Sequence, residues 1–532
     1  MNTRISTLFI LFLALATLLP VNLFAAPKQE LIYVVNHEAD LFDPGITGET
    51  YAVPIIVNAF EGLVKIDKAG ALVPAAAESW EISDDGLEYT FSLRKGAKWS
   101  DGKPLTAADF VFAWTRVLKP ETGSKYAEML FYIKNGKQYY KGEVDEKALG
   151  FSAIDNHTIK MTLESPTPYM LQLMTFWVYF PVRKDIVEKN PDGWARKPET
   201  YIGNGPFQTT EMNLGQSVVF KKNENYWRAD QVKLEKLTIR LIPEMATALI
   251  AMEAGDVDGI ENVPPAEIPR LQVENDNFVV IPGLGTTYYL MNNQHKPLDD
   301  IRVRKALSLA IDRRQLIEHV LQSGDEPAFA IVPYGLSFNG KDFREEGGGY
   351  GLTESAQVEQ AKALLAEAGY PNGEGFPVLH FKYSSGTIIK KIVEALQQMW
   401  KQALNIDFKV SSSEWKVYYP EIQNGDYDIA QMGWGADYAH PMTFLDIFLT
   451  NGPNNHTFWA SPEYDKFVAL SKETTDIGKS VEFMHKAEDV LMNDMAILPL
   501  FHRSYAMMMG QHVKGWYRSS LGFIYFEDAY LE

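Results

Sequence analysis

ALIAMEAGDVDGIENV, residues 248–263, and YPEIQNGDYDIAQMGW, residues 419–434, share one plan: a helix-like stretch, a Gly-Asp-x-Asp turn and a short apolar run. Glycine takes the left-handed conformation that closes a helix, and aspartate suits the turn into a strand. Two such units, about 170 residues apart, predict two α/β lobes of similar build. Ligands of open α/β sheets bind beyond the carboxyl ends of the strands, so the segments around Asn262 and Trp434 are expected to face each other across a cleft.

The same alternation runs outward from these units. Apolar residues return every three or four positions over 303–321, 354–368, 388–404 and 478–492, which predicts helices there. Strand patterns lie between them: LIYVVN, YTFSLR, TIKMTL, SVVFKK, KLTIRLI, TTYYLMNN, LHFKYS, IDFKVS, YDIAQM and AILPLF. The fold class is mixed α/β. No low-complexity tract divides the chain, so the lobes are expected to exchange strands rather than hang on tethers. REEGGGYGL, residues 344–352, reads as a loose surface loop.

The chain opens with Arg4, an apolar run over 8–19, Pro20, and the small residues Ala25 and Ala26. That is the layout of a cleavable secretory signal over 1–25, and the apolar run falls short of the roughly 20 residues a membrane span needs. No cysteine occurs, which removes disulfides, thiolate metal sites, a cysteine nucleophile and a lipid-bearing anchor. A free protein of the periplasm is therefore expected. The roughly 500 residues after the signal exceed one hydrophobic core, so two or three lobes should form. A formal charge of -19 argues against nucleic acid or an anionic membrane as partner, and is compatible with a cationic or zwitterionic ligand.

Catalytic patterns are missing. His37-Glu38 lacks the second histidine of H-E-x-x-H, and TDIGKS, ending at Ser480, has Glu473 where a phosphate-binding loop needs its first glycine. No G-x-S-x-G turn occurs, and the 10 histidines have no metal-ligand spacing. No catalytic residue, cofactor or metal is assigned. One further segment stands out: GWGADYAHP, residues 433–441, sets Asp437 among aromatic residues between glycines and a proline. An aspartate there either caps a turn through its own backbone or awaits a ligand, and the local sequence leaves both open.

VPAAAESWEISDDGLEYTFSLRKGAKWSDGKPLTAADFVFAW, residues 73–114, resembles the signature region of the bacterial extracellular solute-binding proteins of family 5. Those are periplasmic receptors that deliver oligopeptides, dipeptides and some other solutes to ABC importers. FEGLVKID, GNGPFQ, NENYW, GDVDG, YYLMNN, DIRVRKALSLAIDR, AKALLAEAGYPNG, GWGADY and AILPLF follow in family order, so the resemblance covers essentially the whole mature chain. The run from NIDFKVSSSEW to GWGADY is similar to the oligopeptide-binding branch.

The resemblance implies a three-lobed periplasmic-binding-protein-like fold (type II, cluster C). Lobe I would comprise 26–50, 175–277 and 503–532, lobe II 51–174, and lobe III 278–502, with ligand enclosed between lobes I and III by hinge closure. The signature, residues 73–114, in lobe II is then scaffold, with Trp80, Trp99 and Trp114 in its packing. Asp437 would hold a ligand's α-ammonium group, since an ammonium in a closed, poorly hydrated cleft must be paired. Gly433 and Gly435 would let an extended ligand approach and add to the strand edge, and Trp434 would line a side-chain pocket. Asn262 and Tyr288 fall where the branch bonds ligand backbone or uses a tyrosine, and Glu38, in HEADLFDP, offers an acidic pocket.

The chain departs from the branch at Gln431, where an arginine is expected, and at Ile389, where a histidine is. Both meet ligand carboxylates in the branch. Arg503 could take over through bidentate pairing. The expected partners are a short peptide or peptide-like ligand and an inner-membrane ABC permease, with the protein itself a monomer. A non-peptide solute on the same fold (a sugar oligomer, a metal chelate or an opine) and a chaperone-like grip on unfolded segments are the alternatives.

Overall fold

In the computed structural model, which describes residues 27–39, 41–338 and 340–532, eleven strands join into one sheet. They are β1 (Glu30–Val35), β2 (Phe207–Asn213), β3 (Ser217–Lys222), β4 (Lys236–Leu241), β5 (Gly259–Ile260), β6 (Phe278–Met291), β7 (Glu326–Pro327), β8 (Leu379–Ser384), β9 (Phe408–Ser413), β10 (Ile429–Gly435) and β11 (Ile497–Met509). Their order is β9-β8-β10-β6-β11-β5-β1-β4-β3-β2, with β7 beside β11. The run LIYVV in β1 is apolar on both faces because β1 lies between two parallel neighbours, covered above and below. The proposed signal over 1–25 lies outside the described residues.

The two Gly-Asp-x-Asp units occupy equivalent places. Helix α1 (Met245–Ala254) ends at Gly255, φ 77°, and leads into β5; helix α2 (Trp415–Gln423) is followed by Gly425, φ 79°, and leads into β10. In one half β4, β1 and β5 run parallel, with β11 antiparallel beside β5. In the other half β9, β8 and β10 run parallel, with β6 antiparallel beside β10. The repeated sequence unit thus marks two lobes with one topology.

Two long strands cross from one half to the other. β6 and β11 pair as Phe278–Pro282 against Ser504–Met508, then as Thr286–Leu290 against Ile497–His502, with the register broken between Pro282 and Thr286. Pro282 has no N–H for the ladder, and Gly283 and Gly285 flank the gap, so the bend falls where the fewest backbone bonds are lost.

Residues 51–174 contain a separate four-stranded antiparallel sheet of Ala77–Ile82, Glu88–Leu93, Thr158–Thr162 and Phe151–Ala153. Trp99 and Trp114 are fully buried, and the Trp114 indole donates to the Tyr179 carbonyl at 2.9 Å. Trp80 is only half-buried.

Three of the four expected helices form close to their limits, at Val358–Glu367, Thr387–Leu404 and α3 (Ile477–Asn493). The fourth, over 303–321, is instead two pieces. Ile301–Leu309 ends, Asp312 caps a restart by accepting from the Gln315 amide at 2.8 Å, and Leu316–Leu321 follows as a wide π turn. The break seats Arg313, 1% exposed, where its guanidinium donates to the carbonyls of Ala328 and Pro499 and to the Ser308 hydroxyl. Nor is 344–352 loose: Arg344 is buried and paired at 2.7 Å with Glu488 of α3, which also accepts from the Val332 amide.

Arg313→Met should leave those buried acceptors unmatched and cost about 3 kcal/mol. The shift of the urea unfolding midpoint measures it, and an unchanged midpoint would show that the carbonyls find other partners.

Candidate functional site

β10 pairs with β6 along its whole length, Ile429 to Gly435, but with β8 only at Ile429 and Ala430. Beyond Ala430 one edge of the strand has no strand beside it. The Gln431 carbonyl on this stretch accepts from the Tyr418 hydroxyl, and the Gln431 side chain accepts from Ser384 at 2.9 Å. Gly433 and Gly435 follow on the open stretch. A Cβ on Gly433 would lie 2.3 Å from Arg503 Nη2, so the strand can carry only glycine there while that guanidinium stays in place. A Cβ on Gly435 would meet nothing within 4 Å, which leaves room for an approaching chain.

Arg503 sits on β11 across from this edge. Its Nε donates to Thr287 Oγ1 at 3.3 Å, and among the described residues no carboxylate forms an ion pair with it. Solvent reaches the guanidinium, yet desolvation by the surrounding protein draws its pKa down, with Asp325 opposing. It is a cation beside the Pro282–Thr286 break, with Asp325 as a nearby charge but in no direct ion pair among the described residues.

Asp437 lies just past the end of β10. Its backbone N–H donates to Thr443 Oγ1 at 3.1 Å, while its carboxylate has no hydrogen-bond or ion-pair partner among the described residues. The turn-capping reading therefore fails: Thr443 pins the main chain, and the side chain is free to project. It faces a pocket of about 550 Å³ walled by Trp434, Asp437 and Asp446 on one side and by Tyr126, Glu128 and Tyr132 on the other. Burial, with a lesser push from Glu128, raises the Asp437 pKa from 3.8 to about 6. The Trp434 indole N–H is buried in the same place without a partner.

The second wall comes from residues 126–137, beyond the signature region. Tyr169 stacks on Tyr438 with ring centroids 5.3 Å apart and on His440 at 4.7 Å, tying residues 51–174 to the Asp437 segment. Nothing in the sequence around Tyr126 signals a partner 300 residues away.

Other expected contacts fall elsewhere. Tyr288 is 1% exposed and packs edge-on against Phe448, so it serves the core of β6 rather than offering a free ring. Glu38 is exposed and faces Gly215 in a separate small hollow with His37 and Tyr51, away from the Asp437 pocket. Asn262 lies past β5 and donates to the Asn36 side chain at 3.1 Å, in the other half of the sheet from Asp437. Ile389, on Thr387–Leu404, is half-buried and brings no cation. No group of three or more potential metal ligands occurs among the described residues.

A family model, the bacterial extracellular solute-binding proteins of family 5 (middle), matches residues 71–456. The chain belongs to this family. It is 34% identical to the oligopeptide-binding protein OppA of Bacillus subtilis, over 95% of this chain and 93% of that one. Among solved structures, it superposes on the unliganded open form of MppA, a periplasmic murein tripeptide binding protein, with a TM-score of 0.85 at 32% identity, covering 95% of this chain and 98% of that one. With Haemophilus influenzae OppA in complex with RPPGFSPFR the TM-score is 0.70 at 33% identity, covering 95% and 99%.

Between pH 4 and 6 the folded protein holds the Asp437 proton that the unfolded chain has released, so stability falls as pH rises through that window. Asp437→Asn removes the penalty. The variant should be more stable than the parent by about 1–2 kcal/mol at pH 7.5, after allowing for solvent at the pocket mouth, and equal to it below pH 4. Urea unfolding at both pH values checks the sign, which a turn-capping aspartate would reverse.

Proposed function

We propose that this protein captures short peptides in the periplasm and presents them to the permease of an ABC importer, without catalysis. The observation that carries the reading is the pairing of an open strand edge, Gln431 to Gly435, with an unpartnered carboxylate at its end, Asp437. A peptide can add to that edge by main-chain hydrogen bonds that ignore sequence, and its α-ammonium then meets Asp437. The peptide-binding relatives support the same reading. Lobe I would be 26–50, 175–277 and 503–532, lobe II 51–174 and lobe III 278–502, closing about the Pro282–Thr286 break. Asn262, on lobe I, would reach the ligand only on closure.

The ligand's carboxyl end needs a cation that Gln431 and Ile389 do not supply. Arg503, on β11, lies against Gly433 of β10 and has no direct ion-pair partner among the described residues, so it takes that role. Its planar fork suits a carboxylate better than a lysine would.

Calorimetry with a tripeptide tests the ammonium pairing. Asp437→Asn should cost on the order of 2–5 kcal/mol, thirtyfold or more in affinity. Acetylating the peptide's amino terminus should weaken binding to the parent by a similar factor but cost the Asn variant far less, because the shared interaction is already gone. Additive losses would reject the pairing.

Closure is a separate expectation. Saturating peptide should reduce the radius of gyration in solution scattering, and an unchanged profile would reject hinge closure.

A further inference from the structure

The turn Ser323-Gly324-Asp325, just ahead of β7, closes on both crossing strands beside the Pro282–Thr286 break. A Cβ on Gly324 would lie 2.7 Å from Val280 Cγ1 of β6 and 3.3 Å from Ser504 Oγ of β11, so the approach needs glycine. Asp325 then does for Ser504 what a ladder partner does elsewhere. One carboxylate oxygen accepts from the Ser504 amide at 2.8 Å and from its hydroxyl at 3.2 Å, and the other accepts from the Ser323 hydroxyl at 2.7 Å. With both oxygens engaged, the side chain is fixed in place.

Arg503 precedes Ser504 on β11, and successive side chains of a strand point to opposite faces. Its guanidinium turns toward Thr287 and Gly433, away from the face on which Asp325 meets Ser504. The two charges are therefore neighbours without an ion pair among the described residues. Each still acts on the other: Asp325 opposes the fall that burial causes in the Arg503 pKa, and Arg503 opposes the rise that burial causes in the Asp325 pKa.

The remaining groups around Arg503 do not take over this part. Burial raises the hydroxyl pKa values of Tyr288 and Tyr505 and pushes His502 down to about 3, so all three are neutral. Arg518 packs over Tyr505 at 4.0 Å and faces Glu261 at 3.6 Å. A pocket of about 650 Å³ opens beside Arg503, and its carboxylates are answered elsewhere or by water. Glu354 pairs with Arg314, Asp342 accepts from the Gly335 and Arg344 amides, and Glu326 and Glu345 are exposed. A carboxylate paired directly with Arg503 would have to be displaced before a ligand could use the guanidinium. Held across the strand, Asp325 steadies the cation and leaves its N–H donors free, yet it also repels any carboxylate that docks there.

We propose that Asp325 is a standing counter-charge that tempers the grip of Arg503 on the carboxyl end of a peptide, and so sets how strongly the protein prefers a free carboxylate to a blocked one. The inference rests on Arg503 as the carboxylate site and goes beyond it by naming the residue that sets its strength. Asp325 is a positioning residue: it acts through Arg503 and touches no ligand.

Calorimetry at pH 8 with Ala-Ala-Ala, its carboxyl amide and its N-acetyl form tests this on the parent, Asp325→Asn, Asp325→Ser and Arg503→Gln. The parent should bind the free acid more tightly than the amide. Both Asp325 variants should widen that gap by roughly fivefold, while the loss on acetylation stays at the parent value. Arg503→Gln should close the gap. An unchanged or narrower gap in the Asp325 variants, or an equal change in the loss on acetylation, overturns the assignment and leaves Arg503 in its role. A gap that survives in Arg503→Gln removes Arg503 from the carboxylate site and this inference with it. If none of the peptides binds the parent, the peptide reading falls and carries both away.

Discussion

One sheet serves both halves of this protein, and the chain passes between them on two strands only. Everything the cleft can do depends on that constraint. β6 and β11 keep their ladder on each side of the Pro282–Thr286 break, where each side completes the sheet of its own half, and leave it unpaired at the break itself. A register gap with one proline and two glycines meets both demands: the ladder bonds are strong where sheets need them and absent where motion needs freedom. Arg503 sits beside the gap and over Gly433, so a change of angle at the gap would also move its guanidinium.

The electrostatics of the cleft are arranged against the ligand-free state. Asp437, Glu128 and Arg503 form no ion pair among the described residues, whereas the buried Arg344 pairs with Glu488 and the buried Arg116 with Asp43. Leaving charges unmatched costs stability, and the cost is recovered only when a ligand supplies the opposite sign.

Much of this was legible from residues alone. The two Gly-Asp-x-Asp units were read as lobes of like build, and the sheet order bears that out in detail, because left-handed glycines and short apolar strands are local features that sequence displays directly. GWGADY announced its carboxylate for the same reason. What failed to show depends on distant partners. The helix over 303–321 reads as continuous by periodicity, yet it breaks so that Arg313 can reach the Pro499 carbonyl, a partner 186 residues away. The glycine-rich stretch near Arg344 looks loose until Glu488 is placed beside it. Glu38 and Tyr288 were assigned by resemblance, and their surroundings, a small hollow with His37 and Tyr51 and the core against β6, follow from packing that no local pattern encodes. The wall bearing Glu128 was missed altogether, since a charged residue in an aromatic-rich segment reads equally well as ordinary surface.

The order of strands also sets the order in which the halves can be finished. The inner strands of one half, β8, β10 and the lobe III ends of β6 and β11, all lie between residues 286 and 502, so that half can assemble from a continuous stretch of chain. The other half cannot. Its β5 waits for the last residues of β11, Met508 and Met509, and its β1 waits for β4, some 200 positions later. Contacts of such long range form slowly because the loop must close before any bond rewards it. A chain emerging from its amino end therefore keeps this half incomplete until residues 508 and 509 have appeared.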